Sequence, residues 1–182
     1  MDTTKETWKF INTFAPWFSA IGTLAAVIVS LYLARKSKEV KIKASVGHRI
    51  IIEQGSTGPH PEYVVIKVVN HGGRITNVTN IGWKVGFYKK RYGIQTVPLD
   101  PYSSKIPVKL NDGEEATFLI PLKQDKNWIS SFSKDFLLPS PRYNLFTVRL
   151  QIFTSVGKTF SFKIEEGLKN MLLDECKKQI KS

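Results

Sequence analysis

Tyr88-Lys89-Lys90-Arg91-Tyr92 sets three consecutive cations between two phenol rings. Cations beside π-faces attract phosphate-bearing ligands, nucleic acid or anionic lipid headgroups. Tyr102, Lys105 and Arg142 are candidate neighbours of that cluster. An ordinary solvated hairpin tip would carry the same residues, so the sequence leaves both readings open. Other reactive residue types are scattered. His48, His60 and His71 stand apart, with no H-E-x-x-H pair and no cysteine close by, so no metal site is expected. Glu114-Glu115 and Glu165-Glu166 look like acid pairs, yet neighbours on an extended strand point to opposite faces, and Glu114 and Glu115 are not expected to share a site. No G-x-S-x-G, P-loop or G-x-G-x-x-G occurs, and Gly72-Gly73 reads as two turn glycines. Cys176 is the one cysteine, and on an apolar helix stripe a thiol is usually inert packing. The chain is expected to be no enzyme and to use no cofactor.

The elements that must position the cluster follow from composition and patterning. The 182 residues carry 27 Lys+Arg against 15 Asp+Glu, a net charge of +12, with 42% hydrophobic residues. That is globular composition for one domain with an appendage. The appendage is the run from Phe10 to Ala34, which contains no charged residue. As a helix rising about 1.5 Å per residue it would pass the roughly 30 Å hydrocarbon core. Pro16 suits the first turn of its most apolar part, and Trp8, Trp17 and Tyr32 suit the two interfaces. A cleaved signal peptide fits poorly, because Lys5 and Lys9 are cancelled by Asp2 and Glu6 and no A-x-A-like site follows. The reading is an uncleaved signal anchor and a single pass through a lipid bilayer. Arg35, Lys36, Lys38, Lys41 and Lys43 follow the run, which predicts a cytoplasmic C-terminal domain and contact with the membrane surface. Gly22, Ala26 and Ser30 recur at four-residue spacing and would let a second copy of the helix approach closely. Small residues are also common in membrane helices for no such reason.

The predicted organisation is a short segment at 1–9, a transmembrane helix at 10–34, a basic stretch at 35–43, a β-sandwich at 44–164 and a C-terminal helix at 165–182. Val40, Ile42, Ala44 and Val46 alternate with polar residues, as a half-buried strand requires. Tyr63–Asn70 is a second strand, and His71-Gly72-Gly73-Arg74 a turn. Ile81, Trp83, Val85 and Phe87 are expected to share a buried face. Shorter strands are expected at Gly93–Val97, Ile106–Leu110 and, after a turn at Asn111-Asp112-Gly113, at Glu114–Leu122. Asp125–Phe136 reads as a short helix ended by Pro139-Ser140-Pro141. Phe146, Val148, Leu150 and Ile152 form another inward row, turned at Val156-Gly157-Lys158 into Phe160, Phe162 and Ile164. Leu168, Met171, Leu172, Cys176 and Ile180 make the last helix amphipathic; it is expected first to pack on its own domain and second to touch membrane or partner. The fold class is therefore mainly β, an antiparallel sandwich between two helices.

Asn70-His71-Gly72, and later Leu110-Asn111-Asp112-Gly113-Glu114-Glu115 leading into a strand, resemble the N-x-G turn and L-x-x-G-E strand start of bacterial immunoglobulin-like and fibronectin-like adhesion modules. The full layout resembles single-pass, membrane-anchored proteins of bacteria and prophages. That resemblance implies an immunoglobulin-like domain at the bacterial inner membrane and carries over no catalytic residue. On it rests an expected role as a binding or sensing module, and as a membrane effector in anti-phage defence. A superinfection exclusion or immunity protein that contacts another membrane protein is the alternative, and a nucleic-acid tether a third. Setting aside Lys5, Lys9, Arg35, Lys36, Lys38, Lys41 and Lys43, with Asp2, Glu6 and Glu39, leaves 20 basic and 12 acidic residues, so the β domain stays at +8. Anionic lipid headgroups are the expected partner, with a protein or small anionic ligand also open; such a charge needs no nucleic acid.

Overall fold

The computed structural model describes residues 3–52, 58, 60–123 and 127–181. The chain divides into two compact units, Met1–Glu39 and Val40–Ser182. The first is a single helix, α1, Thr3–Ser37, with 35 residues. It starts well before Pro16, which therefore lies inside the helix and not in its first turn. Trp8–Ser37 is long and apolar enough to cross a membrane.

Among the described residues, the second unit holds eight strands in two antiparallel sheets. β1 (Ile42–Ile50), β2 (Glu62–Asn70) and β6 (Glu115–Pro121) form one sheet in the order β1-β2-β6. In the other, β4 (Arg91–Gln95), β3 (Thr76–Val85), β7 (Arg149–Thr154) and β8 (Thr159–Phe162) lie in that order, and β5 (Val108–Leu110) pairs with β3. Period-two alternation sorts the faces as expected: Val46, Val64, Ile66 and Val68 from one sheet and Ile81, Val85, Leu150 and Ile152 from the other are fully buried in one core. Gly113 at φ 77° and Gly157 at φ 74° sit in the two turns where positive φ excludes most side chains. The free edge of β6 is covered by the loop before β5, since Ser104 N donates to Thr117 O at 2.7 Å and Leu119 N to Ser103 Oγ at 3.1 Å.

Helices complete the core. α2 (Trp128–Phe132) runs into a π-helical turn, Ser133–Leu137, which ends before Pro139. The expected start of this helix at Asp125 lies outside the described residues. Pro141 then opens α3 (Pro141–Thr147) at the position where a missing N–H costs nothing. α4 (Glu166–Lys181) packs its Leu168, Leu172 and Cys176 into the same core with complete burial, or nearly so, while Ile180 is exposed. A mainly β chain is therefore not what forms: helical residues outnumber strand residues, because α1 alone contributes 35 and α4 another 16. Two residues expected in the core also leave it. β3 ends at Val85, so Phe87 is 68% exposed, and Phe146 falls on α3 and is 78% exposed.

Trp83 is 3% exposed, with its ring 5.1 Å from that of Phe132 and 5.8 Å from that of Trp128. Asn70 is completely buried at the end of β2. Its Nδ2 donates to Arg74 O at 2.9 Å and Leu110 O at 3.1 Å, while Oδ1 accepts from Gly72 N at 3.0 Å. Truncating Trp83 to Ala should cost about 3–5 kcal/mol, as other large-to-small core changes do. Asn70→Ala should cost about 3 kcal/mol, since it strands buried backbone groups without partners. Both are read as lower denaturant midpoints of the segment 40–182, which contains its whole core; an unchanged midpoint for Trp83→Ala would contradict its place in the packing.

Candidate functional site

Local backbone chemistry sets the geometry of the basic cluster. Gly86 turns the chain out of β3 at φ 93°, and a Cβ there would stand 2.3 Å from Lys89 O. Its N–H donates to Thr147 Oγ1 at 3.0 Å, which ties the hairpin tip to α3. Beyond it Phe87, Tyr88, Lys89 and Lys90 stand in solvent; Tyr88 is 90% exposed and its ring meets that of Phe87 edge-on at 5.3 Å.

Along β4 the side chains alternate, and the five predicted site residues part company. Arg91, Gly93 and Gln95 pair with Val85, Trp83 and Ile81 on the inner side. Arg91 there donates to Asp135 O at 2.9 Å and to Phe136 O, so its guanidinium holds the end of the π-helical turn. Gly93 admits the Phe136 ring, because a Cβ at this position would lie 2.5 Å from Phe136 Cζ. Gln95 Oε1 accepts from both indoles, Trp83 Nε1 at 2.9 Å and Trp128 Nε1 at 3.1 Å. Tyr92 and Ile94 point the other way, 61% and 70% exposed. Tyr88, Lys89, Lys90 and Tyr92 are thus open to a partner, and Arg91 is occupied.

The structure adds four residues that the sequence reading did not place here. Lys84, Phe87, Phe146 and Arg149 line one recess together with Lys90, Gly86 and Thr147. Two local signals point to them: Gly86 as a turn after Val85, and Pro141 as the start of a helix through Phe146. Lys105 instead lines a separate groove with Ile94 and Leu99, and Arg142 and Tyr102 are exposed.

The carboxylates serve the fold. Glu114 accepts from Asn111 N and Nδ2, both at 2.8 Å, and those bonds hold its carboxyl below the usual range. Glu115 pairs with Lys67 at 3.0 Å, so the two neighbours do separate work. Glu165 pairs with Arg49 at 2.8 Å and Glu166 with Lys169. Cys176 is buried beside Ser133, and desolvation pushes its thiol pKa up, away from nucleophilic reactivity. Among the described residues no three His, Cys, Asp or Glu side chains cluster as a metal would need. On α1, Gly22, Ala26 and Ser30 share one exposed face, and Lys36 Nζ lies 5.5 Å over the Tyr32 ring. Arg35 and Lys36 occupy the last turn of α1, whereas Lys41 and Lys43 belong to the second unit.

No protein-family model matches this chain, and no curated protein matches it. Solved structures that align with it include a structural-genomics target, 11% identical over 68% of this chain and 82% of its own, with a TM-score of 0.32. A Bordetella pertussis protein described as ApaA is 16% identical over 70% of this chain and 91% of its own, at 0.30. A protein described as late embryogenesis abundant is 15% identical over 85% of this chain and 82% of its own, also at 0.30. Scores of this size carry neither fold nor function across.

Two measurements check the site's supports. Arg91→Ala should speed hydrogen exchange at amides 133–138 while leaving the strands protected, because only the helical cover loses its anchor. Glu62 accepts from Lys123 Nζ at 3.2 Å and shares a 2.9 Å bond with His48 Nε2, and these partners, Lys123 first, hold its pKa below the ordinary 4.5. A carboxylate lowered on folding stabilises above its unfolded pKa, and the contribution fades as pH falls through the folded one. Denaturant midpoints below pH 4.5 should therefore fall less steeply in Glu62→Gln than in the parent.

Proposed function

We propose that the chain is a non-catalytic, single-pass binding module of the bacterial inner membrane, with an immunoglobulin-like β domain on the cytoplasmic side. The observation that carries this reading is α1: its run from Phe10 to Ala34 is uncharged, and Arg35, Lys36 and Lys38 follow it directly. An amphipathic soluble helix shows one polar face, whereas the side chains described here from Phe14 to Leu33 are apolar, small or uncharged on every side. Lys and Arg retained on one side of a span orient it with that side inward.

The β domain engages its partner through side chains that the fold leaves free. Tyr88, Lys89, Lys90 and Tyr92 are exposed and suit an anionic partner, while the buried Cys176 and the paired carboxylates offer no nucleophile or general acid. The resemblance in layout suggests a membrane effector of anti-phage defence as the biological setting. Assembly through the Gly22, Ala26 and Ser30 face would concentrate such domains at one point in the bilayer.

A reporter fused after Ser182 should be active only when it is a cytoplasm-dependent one; activity of a periplasm-dependent reporter there would overturn the orientation. Gly22→Leu combined with Ala26→Leu should reduce crosslinked oligomers without impairing insertion. Unchanged crosslinking would make the small-residue face incidental.

A further inference from the structure

Charge is sorted between the two sheets. The hairpin segment Thr76–Leu99 contains Lys84, Lys89, Lys90 and Arg91 and no Asp or Glu. The segment Leu138–Ile164, which supplies α3, β7 and β8, contains Arg142, Arg149, Lys158 and Lys163 and again no acid. By contrast, every ion pair among the described residues lies on β1, β2, β6, α4 or the residues flanking them: His48–Glu62, Lys123–Glu62, Arg49–Glu165, Lys67–Glu115, Lys169–Glu166 and Lys177–Asp174. The cations of the five-stranded sheet therefore have no ion-pair partner among the described residues, and Tyr92 and Ile94 stay exposed on its outer face.

Apolar side chains project from the same side. Phe87, Tyr88 and Phe146 are 68%, 90% and 78% exposed at the tip, and Tyr92 and Ile94 continue along the face at 61% and 70%. Bulky rings that protrude among lysines match the interfacial zone of a bilayer, where rings enter the headgroup level and cations meet anionic lipid. β3 starts at Thr76, and its ten residues carry the chain to Val85, just before the tip.

We propose that the outer face of the five-stranded sheet, from Tyr92 and Lys84 to the tip at Phe87 and Tyr88, docks on an anionic phospholipid bilayer. The proposal rests on the reading of α1 as a membrane anchor, which raises the effective concentration of lipid at the face. Lys84 and Lys90 supply the attraction and Phe87 and Phe146 the insertion, while Arg149, held like Arg91 by backbone carbonyls (Phe146 O at 2.9 Å and Val148 O at 2.7 Å), adds only its charge. On β7 the outward Gln151 is 6% exposed and bonded to Ser161 Oγ at 3.3 Å, so its amide is not free to read a base edge.

The test reconstitutes the full chain into vesicles of phosphatidylcholine alone or mixed with phosphatidylglycerol and follows hydrogen exchange at amides 87–90. Exchange should slow by roughly tenfold in the anionic vesicles only. Since each surface cation contributes on the order of a fivefold gain in affinity, Lys84→Glu with Lys90→Glu should abolish the protection. Phe87→Ser with Phe146→Ser should weaken it while the denaturant midpoint of the segment 40–182 stays unchanged. Equal exchange in both lipids, or protection that survives both double variants, would overturn the proposal. So would protection gained from a single-stranded oligonucleotide in neutral vesicles and absent with anionic lipid. Resistance of the chain to alkaline extraction, measured on the same vesicles, reports α1 separately: extraction would sink the anchor reading, whereas a retained chain with an unprotected tip would sink the docking face alone.

Discussion

One buried amide joins the two sheets. Asn70 ends β2, yet its Nδ2 bonds the carbonyls of Arg74, just before β3, and Leu110, at the end of β5. Its own backbone accepts from Gly113 N at 2.8 Å and donates to Glu114 O at 3.1 Å, at the approach to β6. The β2–β6 ladder of one sheet and the β3–β5 ladder of the other are thereby joined at one end of the core. Because the amide is out of water, each of its bonds has no solvent substitute, and leaving any of the paired groups alone would carry a desolvation cost. The register of β3 starts from this knot, and β3 carries the hairpin that bears the exposed cations.

At the other end of β3 the constraint is aromatic. Trp128, Phe132 and Phe136 stack in series, with Trp128–Phe132 rings at 4.8 Å and Phe132–Phe136 rings at 5.0 Å, and Trp83 meets Phe132 edge-on. Gln95 satisfies both indole N–H groups, and Gly93 leaves room for the last ring. Arg91 closes this assembly by capping two carbonyls of the π-helical turn. The inner side of β4 is consumed by packing, so only its outer side remains for a partner. A strand of five residues serves both the core and the surface because its side chains alternate.

Function, on this reading, follows from what packing leaves over. Glu62, Glu114, Glu115, Glu165, Glu166 and Asp174 are spent on a turn and on ion pairs at one sheet and along α4, and the thiol is spent on the core. What stays free is a cation-bearing surface with protruding rings, on a chain whose other unit is long and apolar enough to cross a bilayer. The combination suits recognition of an anionic surface, which needs field and interfacial area more than a shaped pocket.

Much of this was legible from residues alone. The uncharged run to Ala34 marks α1, since a long apolar stretch has few other homes; period-two alternation marks β1, β3 and β7 because burial on one face imposes it, and a continuous apolar run marks β2. Gly113 and Gly157 mark their turns through backbone sterics, which are local. Trp83 in the core, and Leu168, Leu172 and Cys176 against it, also follow from pattern. Tertiary structure decided the rest. Phe87 and Phe146 carry the hydrophobicity of core residues, yet a turn at Gly86 and a helix from Pro141 put them outside. Arg91 looks like its neighbours Lys89 and Lys90, and only the helical turn that arrives forty residues later claims it for the fold. Local sequence determines how a segment is shaped; which of its side chains remain free depends on what packs against it, and that partner is distant in the chain.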